Sequence, residues 1–374
     1  MAKLAYPTVS QRVTFNSRRF KAPLKIALEE HISTKLFNPT ETLPPQSRTA
    51  ELPYMNPEFV ADTEDRLTNI DARIEAMDRA GIALTIISLT MPGIEGIFDS
   101  AIAVSMARKV NDEIHDLYTA GLHAKRFRAF GVVPMQDPEA ATIELERCIK
   151  ELGFVGVLVN GYSNVGGEST VQYLDEPACA PFWAKLEELD VPLYLHPRIP
   201  PPDQMRIYKG YEFLAGSPWG FGLETATHAL RLMASGLFDH HPRLKVILGH
   251  CGEGLPFSLY RIDHRIRHFQ NGLLQCKLRM QDYWERNFWV TTSGVFSDGA
   301  FAQTLKHCGE DRVLWSADYP YEDYDEISHW FDTLEISEHT RATVGWKNAE
   351  RLFNLKASEA IAQPLRVDMK RGSV

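Results

Sequence analysis

Eight short apolar segments alternate with segments of helical periodicity along most of this chain. The strand-like segments are residues 24–31, 82–89, 127–133, 154–160, 192–196, 245–250, 288–292 and 312–317. Helical segments follow them, among them residues 101–118, 138–152, 176–189, 221–237, 254–269 and 298–307. Eight strands that each precede a helix predict a (β/α)8 TIM barrel. A doubly wound sheet is the alternative, but it favours a glycine-rich first turn, and this chain has Glu29-Glu30-His31 there.

The barrel accounts for most of the 374 residues. We expect an irregular N-terminal arm over residues 1–24, a single catalytic barrel over 25–356 and a C-terminal tail over 357–374. A long connection rich in Pro, Thr and Asn, residues 32–63, follows the first strand. A helix with apolar residues at positions 67, 70, 74 and 77 then ends at Gly81. Neither an internal repeat nor a second domain is indicated.

Composition restricts the class of partner. The net charge of −9, without a basic run, argues against binding to nucleic acid. No apolar run is long enough to span a membrane, and the first 24 residues lack a secretory signal. The five cysteines are scattered without a CxxC pair, which favours a reducing compartment. We therefore expect a cytoplasmic protein with no membrane partner.

Polar residues follow several of the predicted strands at their C-terminal ends, where TIM-barrel enzymes place their active sites. They are Glu29, Glu30 and His31 after the first strand, His196 after the fifth, His250 and Glu253 after the sixth, and Asp318 after the eighth. Strand alternation directs Glu29 and His31 to one face and Glu30 to the other. Carboxylates and imidazoles that converge without a thiolate predict a catalytic site for one divalent metal ion, Zn²⁺, Mn²⁺ or Mg²⁺. Taken singly, each has an ordinary structural explanation, such as a turn cap for Asp318.

Four further residues are candidates for substrate binding. Trp219 and Phe221 follow the fifth strand and could stack on an aromatic ring, or alternatively pack the barrel rim. Arg198 and Arg261 could bind a carboxylate. For Arg261 the alternative is a helical ion pair with Asp263.

Several motifs together resemble one protein family. They are ALEEH at the first strand, YLHPR at the fifth, the segment ETATHALRLMASGLFDHHPRLKVILGHCGEG and the late WSADYPYE. They are similar to the aromatic-acid decarboxylase branch of the amidohydrolase superfamily, especially its metal-dependent nonoxidative decarboxylases of 2,6- and 2,3-dihydroxybenzoate. The resemblance extends over about residues 25–355.

The resemblance implies roles for individual residues. The implied metal ligands are Glu29, His196 and Asp318, with His31 a ligand or a near neighbour. It further implies a hydrogen-bonded His250–Glu253 pair beside the substrate and an Arg261 that reaches a neighbouring subunit's site. The family usually forms homotetramers or homodimers. Relatives acting on 2,3-dihydroxybenzoate or salicylate often have Ala at the position of His31, which favours a resorcylate-like substrate here.

The implied reaction is reversible decarboxylation of an ortho-hydroxybenzoate to CO₂ and a phenol. The ring carbon that bears the carboxylate is protonated first, and CO₂ leaves as aromaticity returns. Asp318 is the expected general acid, which requires its pKa to rise through burial or neighbouring carboxylates. Two alternatives stay open. One is a metal-dependent hydrolase of an amide, ester or lactone, although such enzymes usually carry His-x-His on the first strand. The other is a barrel that binds a metal or a small ligand without turnover.

Overall fold

Eight parallel strands form one sheet in which each strand pairs with its neighbour along the chain. The computed structural model describes residues 24–37, 52–269 and 272–355. The strands, β1 to β8, are Lys25–Ile32, Ile82–Leu89, Phe127–Val132, Gly156–Asn160, Leu193–His196, Val246–Leu248, Phe288–Thr291 and Val313–Leu314. The expected (β/α)8 barrel is confirmed. The expected arm (apart from Leu24) and tail lie outside the described residues.

Helices surround the sheet. In chain order, α1 to α13 are Pro57–Thr68, Ile70–Ala80, Ser100–Ile114, Pro138–Lys150, Ala180–Leu189, Gly220–Ala234, Leu237–His240, Leu255–Ile266, Met280–Asn287, Asp298–Cys308, Tyr324–Thr333, Glu338–Ala342 and Asn348–Phe353. None of these described helices has the length and apolar composition needed to cross a membrane.

The connection between β1 and the first helix was predicted over residues 32–63, but the helix begins before residue 63. Helix α1 begins at Pro57, where the Asn56 side chain accepts a hydrogen bond from the Glu58 N–H. Asn69 then ends α1 and caps α2 through the Ala72 N–H, so one predicted helix is two. Gly81 ends α2 in the left-handed conformation, as predicted.

Side chains close the barrel between β1 and β8. The Ser316 hydroxyl accepts hydrogen bonds from the N–H groups of Leu28 (3.2 Å) and Glu29 (2.7 Å). The Ser316 N–H in turn donates to the Thr292 hydroxyl at 3.0 Å. The predicted last strand, residues 312–317, is therefore shorter than expected, because the N–H groups after Leu314 bond outside the strand ladder.

A bulge in β1 sets the direction of its last side chains. Ala27 pairs with Thr85 and Glu30 with Ile87, so β1 advances three residues where β2 advances two. Ile26 and Leu28 belong to the apolar cluster inside the barrel. Strict alternation from Leu28 would direct Glu30 inward, but the bulge directs Glu29 inward instead.

Two apolar layers hold the barrel together. The larger lies between the strands and the surrounding helices. The smaller fills the barrel interior and includes Leu352 and Phe353 of α13. The ring of Phe353 lies 5.8 Å from that of Phe130, centroid to centroid, so α13 closes the end of the barrel opposite the strands' C-terminal ends.

Candidate active site

Glu29, His31 and His196 converge at the C-terminal mouth of the barrel. One ligand atom from each lies within 4.8 Å of the others, and all three residues are buried. The Nε2 of His196 is 3.3 Å from Oε1 of Glu29. Among the described residues, Glu29 Oε1 and His31 Nε2 have no hydrogen-bond partner. Buried polar atoms without partners are costly, so two of them facing a third donor fit a bound divalent metal ion.

The other oxygen of Glu29 is fully occupied. Oε2 accepts hydrogen bonds from the hydroxyls of Tyr194, Thr291 (3.2 Å) and Ser293. Burial raises the pKa of Glu29. These three donors, on β5 and at the end of β7, were missed from the sequence; the polar residues within apolar strands were the available signal.

A hydrogen-bonded chain orients His196. Its Nδ1 lies 2.8 Å from the amide oxygen of Asn160 at the end of β4. The backbone and side-chain N–H groups of Asn160 donate to Glu95, at 2.9 and 3.3 Å. An amide oxygen only accepts, so Nδ1 carries the proton and Nε2 is left as a ligand. Burial lowers the pKa of His196 well below its ordinary value, which keeps the imidazole neutral. Glu95 was missed because it does not end a strand; it lies in a short 3-10 helix, Ile94–Gly96, after β2.

Asp318 lies between two histidines. Its Oδ1 is 3.3 Å from Nε2 of His31, and its Oδ2 is 3.7 Å from Nε2 of His250. Burial would raise the pKa of Asp318, but the nearby His250 and His31 imidazoles outweigh it and hold that pKa below its ordinary value. The rise in pKa that proton donation by Asp318 requires is therefore opposed in the structure, because the two imidazoles together outweigh burial.

His250 lies among three carboxylates, those of Glu29, Glu253 and Asp318. Its Nδ1 lies 2.7 Å from Oε1 of Glu253. Burial lowers the pKa of His250, but Glu253, Glu29 and Asp318 outweigh it and raise that pKa well above its ordinary value. These directions favour an imidazolium at His250 beside an ionised Asp318 carboxylate.

The backbone that carries His250 is left-handed. Five consecutive residues from His250 to Gly254 have positive φ, at 51°, 56°, 84°, 54° and 73°. The expected strand over 245–250 therefore ends early, at Leu248, and α8 begins at Leu255. Left-handed backbone costs a non-glycine residue roughly 1–2 kcal/mol, so this turn stores strain at the site while bringing His250 and Glu253 together.

A cavity of about 1270 Å³ opens above these groups. Its lining includes His31, His196, His250, Glu253 and Asp318, together with the predicted Trp219, Phe221 and Arg261. Trp219 is 62% exposed at the rim, whereas Phe221 is buried at the start of α6. Tyr321 and Glu322 also line it and were missed, although they closely follow Asp318.

The two arginine candidates occupy different places. Arg198 is buried outside the cavity lining, and its guanidinium donates to the carbonyl of Tyr162 (2.7 Å) and the side chain of Asn164 (2.6 Å). Arg261 is exposed on α8 and lines the cavity. Asp263, its alternative partner, accepts the N–H groups of Met280 (2.8 Å) and Gln281 (3.1 Å) at the start of α9.

The chain is similar in sequence to an amidohydrolase family model and to γ-resorcylate decarboxylases. Residues 31–355 match the family model described as amidohydrolase. The chain is 44% identical over 338 residues to the γ-resorcylate decarboxylase of Rhizobium sp. (strain MTP-10005), covering 88% of this chain and 98% of the relative.

Solved structures agree with this. A dihydroxybenzoic acid decarboxylase from Polaromonas sp. JS666, with bound manganese and the inhibitor 2-nitroresorcinol, is 43% identical with a TM-score of 0.83, covering 91% of this chain and 100% of that one. A 2,6-dihydroxybenzoate decarboxylase complexed with 2,6-dihydroxybenzoate is 44% identical with a TM-score of 0.82, covering 89% and 100%.

Proposed function

This chain belongs to the amidohydrolase family, and on that premise we propose that it is a metal-dependent nonoxidative decarboxylase of an ortho-hydroxybenzoate, with 2,6-dihydroxybenzoate as the first candidate substrate. The observation that carries the proposal is the pair of partnerless buried atoms, Glu29 Oε1 and His31 Nε2, beside His196. That donor set occurs in a chain 44% identical to a γ-resorcylate decarboxylase over nearly its full length.

One divalent metal ion would be held by Glu29, His31 and His196, with Asp318 beside them. Mn²⁺ is the first candidate because a similar structure contains it. When bound, such an ion supplies Lewis-acid stabilisation of the negative charge on a phenolate and a carboxylate.

Residues of the chain hold the proton and deliver it to the substrate. We assign to Asp318 the delivery of a proton to the ring carbon that bears the carboxylate. The carbon–carbon bond then breaks, its electron pair returns to the ring and CO₂ leaves. His250, 3.7 Å from Asp318, holds the proton beforehand, and Glu253 fixes the orientation of the imidazole. Asp318 is thereby protonated only at the catalytic step, which is compatible with its lowered pKa.

The cavity wall provides the remaining contacts. Phe221 offers an apolar surface to the ring, and Trp219 covers it from the rim. Arg261 supplies positive charge at the cavity entrance for an anionic substrate. Arg198 is left out of the proposed substrate site because its guanidinium is bonded elsewhere.

A homodimer or homotetramer is part of the proposal. Large apolar side chains are exposed near the cavity: Trp219 just before α6, Leu223 on α6, and Phe257 and Tyr260 on α8. Several large exposed apolar side chains around one cavity favour a protein interface. Light scattering coupled to gel filtration should give a mass at least twice that of the 42.4 kDa chain. We place the enzyme in the cytoplasm, in keeping with its five free thiols.

The decisive experiment compares two reactions. Protein supplied with Mn²⁺ is assayed for CO₂ release from 2,3-, 2,4- and 2,6-dihydroxybenzoate, salicylate and orsellinate, and for hydrolysis of lactones. We expect CO₂ from 2,6-dihydroxybenzoate, loss of that activity with a chelator and its recovery with Mn²⁺. Lactone hydrolysis without CO₂ release would establish the hydrolase instead, and bound metal with neither reaction would establish a binding protein.

A further inference from the structure

Glu30 is a buried carboxylate that the proposed reaction does not use. It lies between Glu29 and His31 in the chain and is 0% exposed. Because of the bulge in β1, its side chain points away from the barrel interior and towards the segment that follows β8. Burying a carboxylate is costly, so its contacts must compensate.

Three donors from one short segment satisfy this carboxylate. Oε1 accepts hydrogen bonds from the Ser316 hydroxyl (2.9 Å) and the Ala317 N–H (3.0 Å). Oε2 accepts the Tyr319 N–H at 3.1 Å. Ala317 and Tyr319 are the residues immediately before and after Asp318. The two oxygens of Glu30 therefore hold the backbone on both sides of the proposed general acid.

The backbone between these two contacts needs such support. Asp318 has φ of 80°, in the left-handed region. Residues held in sparsely populated conformations cost of order 1–3 kcal/mol and persist only where the surroundings enforce them. Relaxation of φ at Asp318 would turn its carboxylate away from His31 and His250, which lie 3.3 and 3.7 Å away.

We propose that Glu30 is a positioning residue, whose carboxylate holds Asp318 in its left-handed conformation and so aims the Asp318 carboxylate into the active site. The catalytic consequence rests on the proposed function. The conformational consequence does not, since it concerns only the hydrogen bonds of residues 316–319.

The test substitutes Glu30→Gln. A glutamine has the same shape but only one acceptor oxygen, so its NH₂ group must face either the Tyr319 N–H or the pair from Ser316 and Ala317. Amide exchange of residues 315–322, followed by mass spectrometry, should become faster in the folded variant. In the decarboxylation assay, kcat should fall about tenfold or more, because small misplacements of a catalytic group are costly. KM and manganese content should stay within about twofold.

Glu144→Gln is the matched control. Glu144 is also a buried carboxylate, on α4, and accepts hydrogen bonds from Asn111 (2.7 Å) and Arg147 (2.6 Å). This variant should lose thermal stability while keeping wild-type kcat and wild-type exchange of residues 315–322. If Glu30→Gln does not fold, Glu30→Asp keeps the charge but shortens the side chain by one methylene, so it cannot reach both the Ala317 and Tyr319 N–H groups, and it is expected to show the same changes.

The outcomes separate the two proposals. Wild-type exchange of residues 315–322, or wild-type kcat, in the folded Glu30 variant would overturn the positioning role. If the unsubstituted protein releases no CO₂ from any hydroxybenzoate, the proposed function fails, and the exchange measurement alone decides whether Glu30 holds Asp318.

Discussion

The two carboxylate oxygens of Glu29 have different surroundings and different roles. Oε2 receives three hydroxyl donors, which anchor the side chain, while Oε1 has no hydrogen-bond partner and faces His196. Asp318 differs, because both of its oxygens face imidazoles. The hydrogen bonds to Oε2 fix the orientation of the Glu29 carboxylate. A carboxylate between two histidines, such as that of Asp318, can instead exchange a proton.

Asp318→Asn tests the assignment of the general acid. The amide matches the size of the carboxylate but cannot deliver the proton, while Glu29, His31 and His196 remain to hold the metal. We expect manganese content near the wild-type level and turnover reduced at least about a hundredfold. Elemental analysis and the CO₂ assay measure the two quantities.

Asp323→Asn is the control for this substitution. Asp323 caps α11 by accepting the N–H groups of Asp325 and Glu326, and Asn caps helices equally well. It should keep full activity. Turnover near the wild-type level in Asp318→Asn would exclude Asp318 as the acid.

The carboxyl group of Glu322 should make the free energy of unfolding depend on pH. Burial first, then the charge of Asp318, raises the pKa of Glu322 to about 7 from 4.5. A carboxyl whose pKa is raised on folding costs stability as pH rises from the unfolded to the folded value. In metal-free protein, Glu322→Gln should therefore be more stable than wild type by about 1–2 kcal/mol above pH 7, after allowing for partial exposure, with little difference near pH 4.5.

Thermal unfolding between pH 4.5 and 8 measures this difference. Glu335→Gln, an exposed substitution just after α11, should show no comparable trend. A stability difference for Glu322→Gln that did not grow with pH would contradict the raised pKa.

At the scale of elements, short irregularities aim the active-site residues. The bulge in β1 directs Glu29 inward after Leu28. The left-handed turn after β6 brings His250 to Glu253, and the segment after β8 leaves the strand ladder to present Asp318. The bulge lies within β1, and the other two irregularities follow the C-terminal ends of β6 and β8. All three orient side chains in ways that regular strands do not allow.

Gly249→Ala tests the close approach between β6 and β1. A Cβ at position 249 would lie 2.8 Å from Oε2 and 3.0 Å from Oε1 of Glu29. The carboxylate would have to move, so manganese affinity should fall about 10- to 100-fold in a direct titration. Gly167→Ala is the control, because its Cβ would meet no atom within 4 Å. Unchanged affinity in Gly249→Ala would show that the Glu29 carboxylate is free to shift.

In the whole molecule, the proposed active-site residues and the helix that closes the barrel lie at opposite ends of the strands. The site lies at the C-terminal ends of the strands, while α13 closes the other end through Leu352 and Phe353. This arrangement is typical of TIM-barrel enzymes, in which loops at one end vary without loss of the core.

Phe353→Ala tests whether the two ends of the barrel are energetically independent. The substitution leaves a cavity against Phe130, so the free energy of unfolding should fall by about 3–5 kcal/mol in denaturant titration. Manganese content and kcat should stay at the wild-type level wherever the variant is folded. Leu122→Ala, at a 92% exposed position, should change neither. Selective loss of kcat in folded Phe353→Ala would show that the two ends are coupled.

Sequence alone determined the barrel and the residues at its mouth. The count and order of strands follow from apolar periodicity, and Glu29, His31, His196, His250, Glu253 and Asp318 stand out because polar residues end otherwise apolar segments. Local patterns suffice for this, since strand direction in a parallel barrel brings every C-terminal end to one face. Motif resemblance also favoured the decarboxylase over the hydrolase, and the similarity to γ-resorcylate decarboxylases supports that choice.

The contacts that hold those residues became visible in the folded chain. Glu95, Tyr194 and Ser293 are distant in the chain from the residues they orient, and Glu30 acquires its contacts through a bulge that period-two reasoning does not reveal. The pKa of Asp318 depends on a balance between burial and two imidazoles a few ångströms away, and the sequence left the direction of that balance open. Hydrogen bonds and charges act over distances that only the folded chain defines.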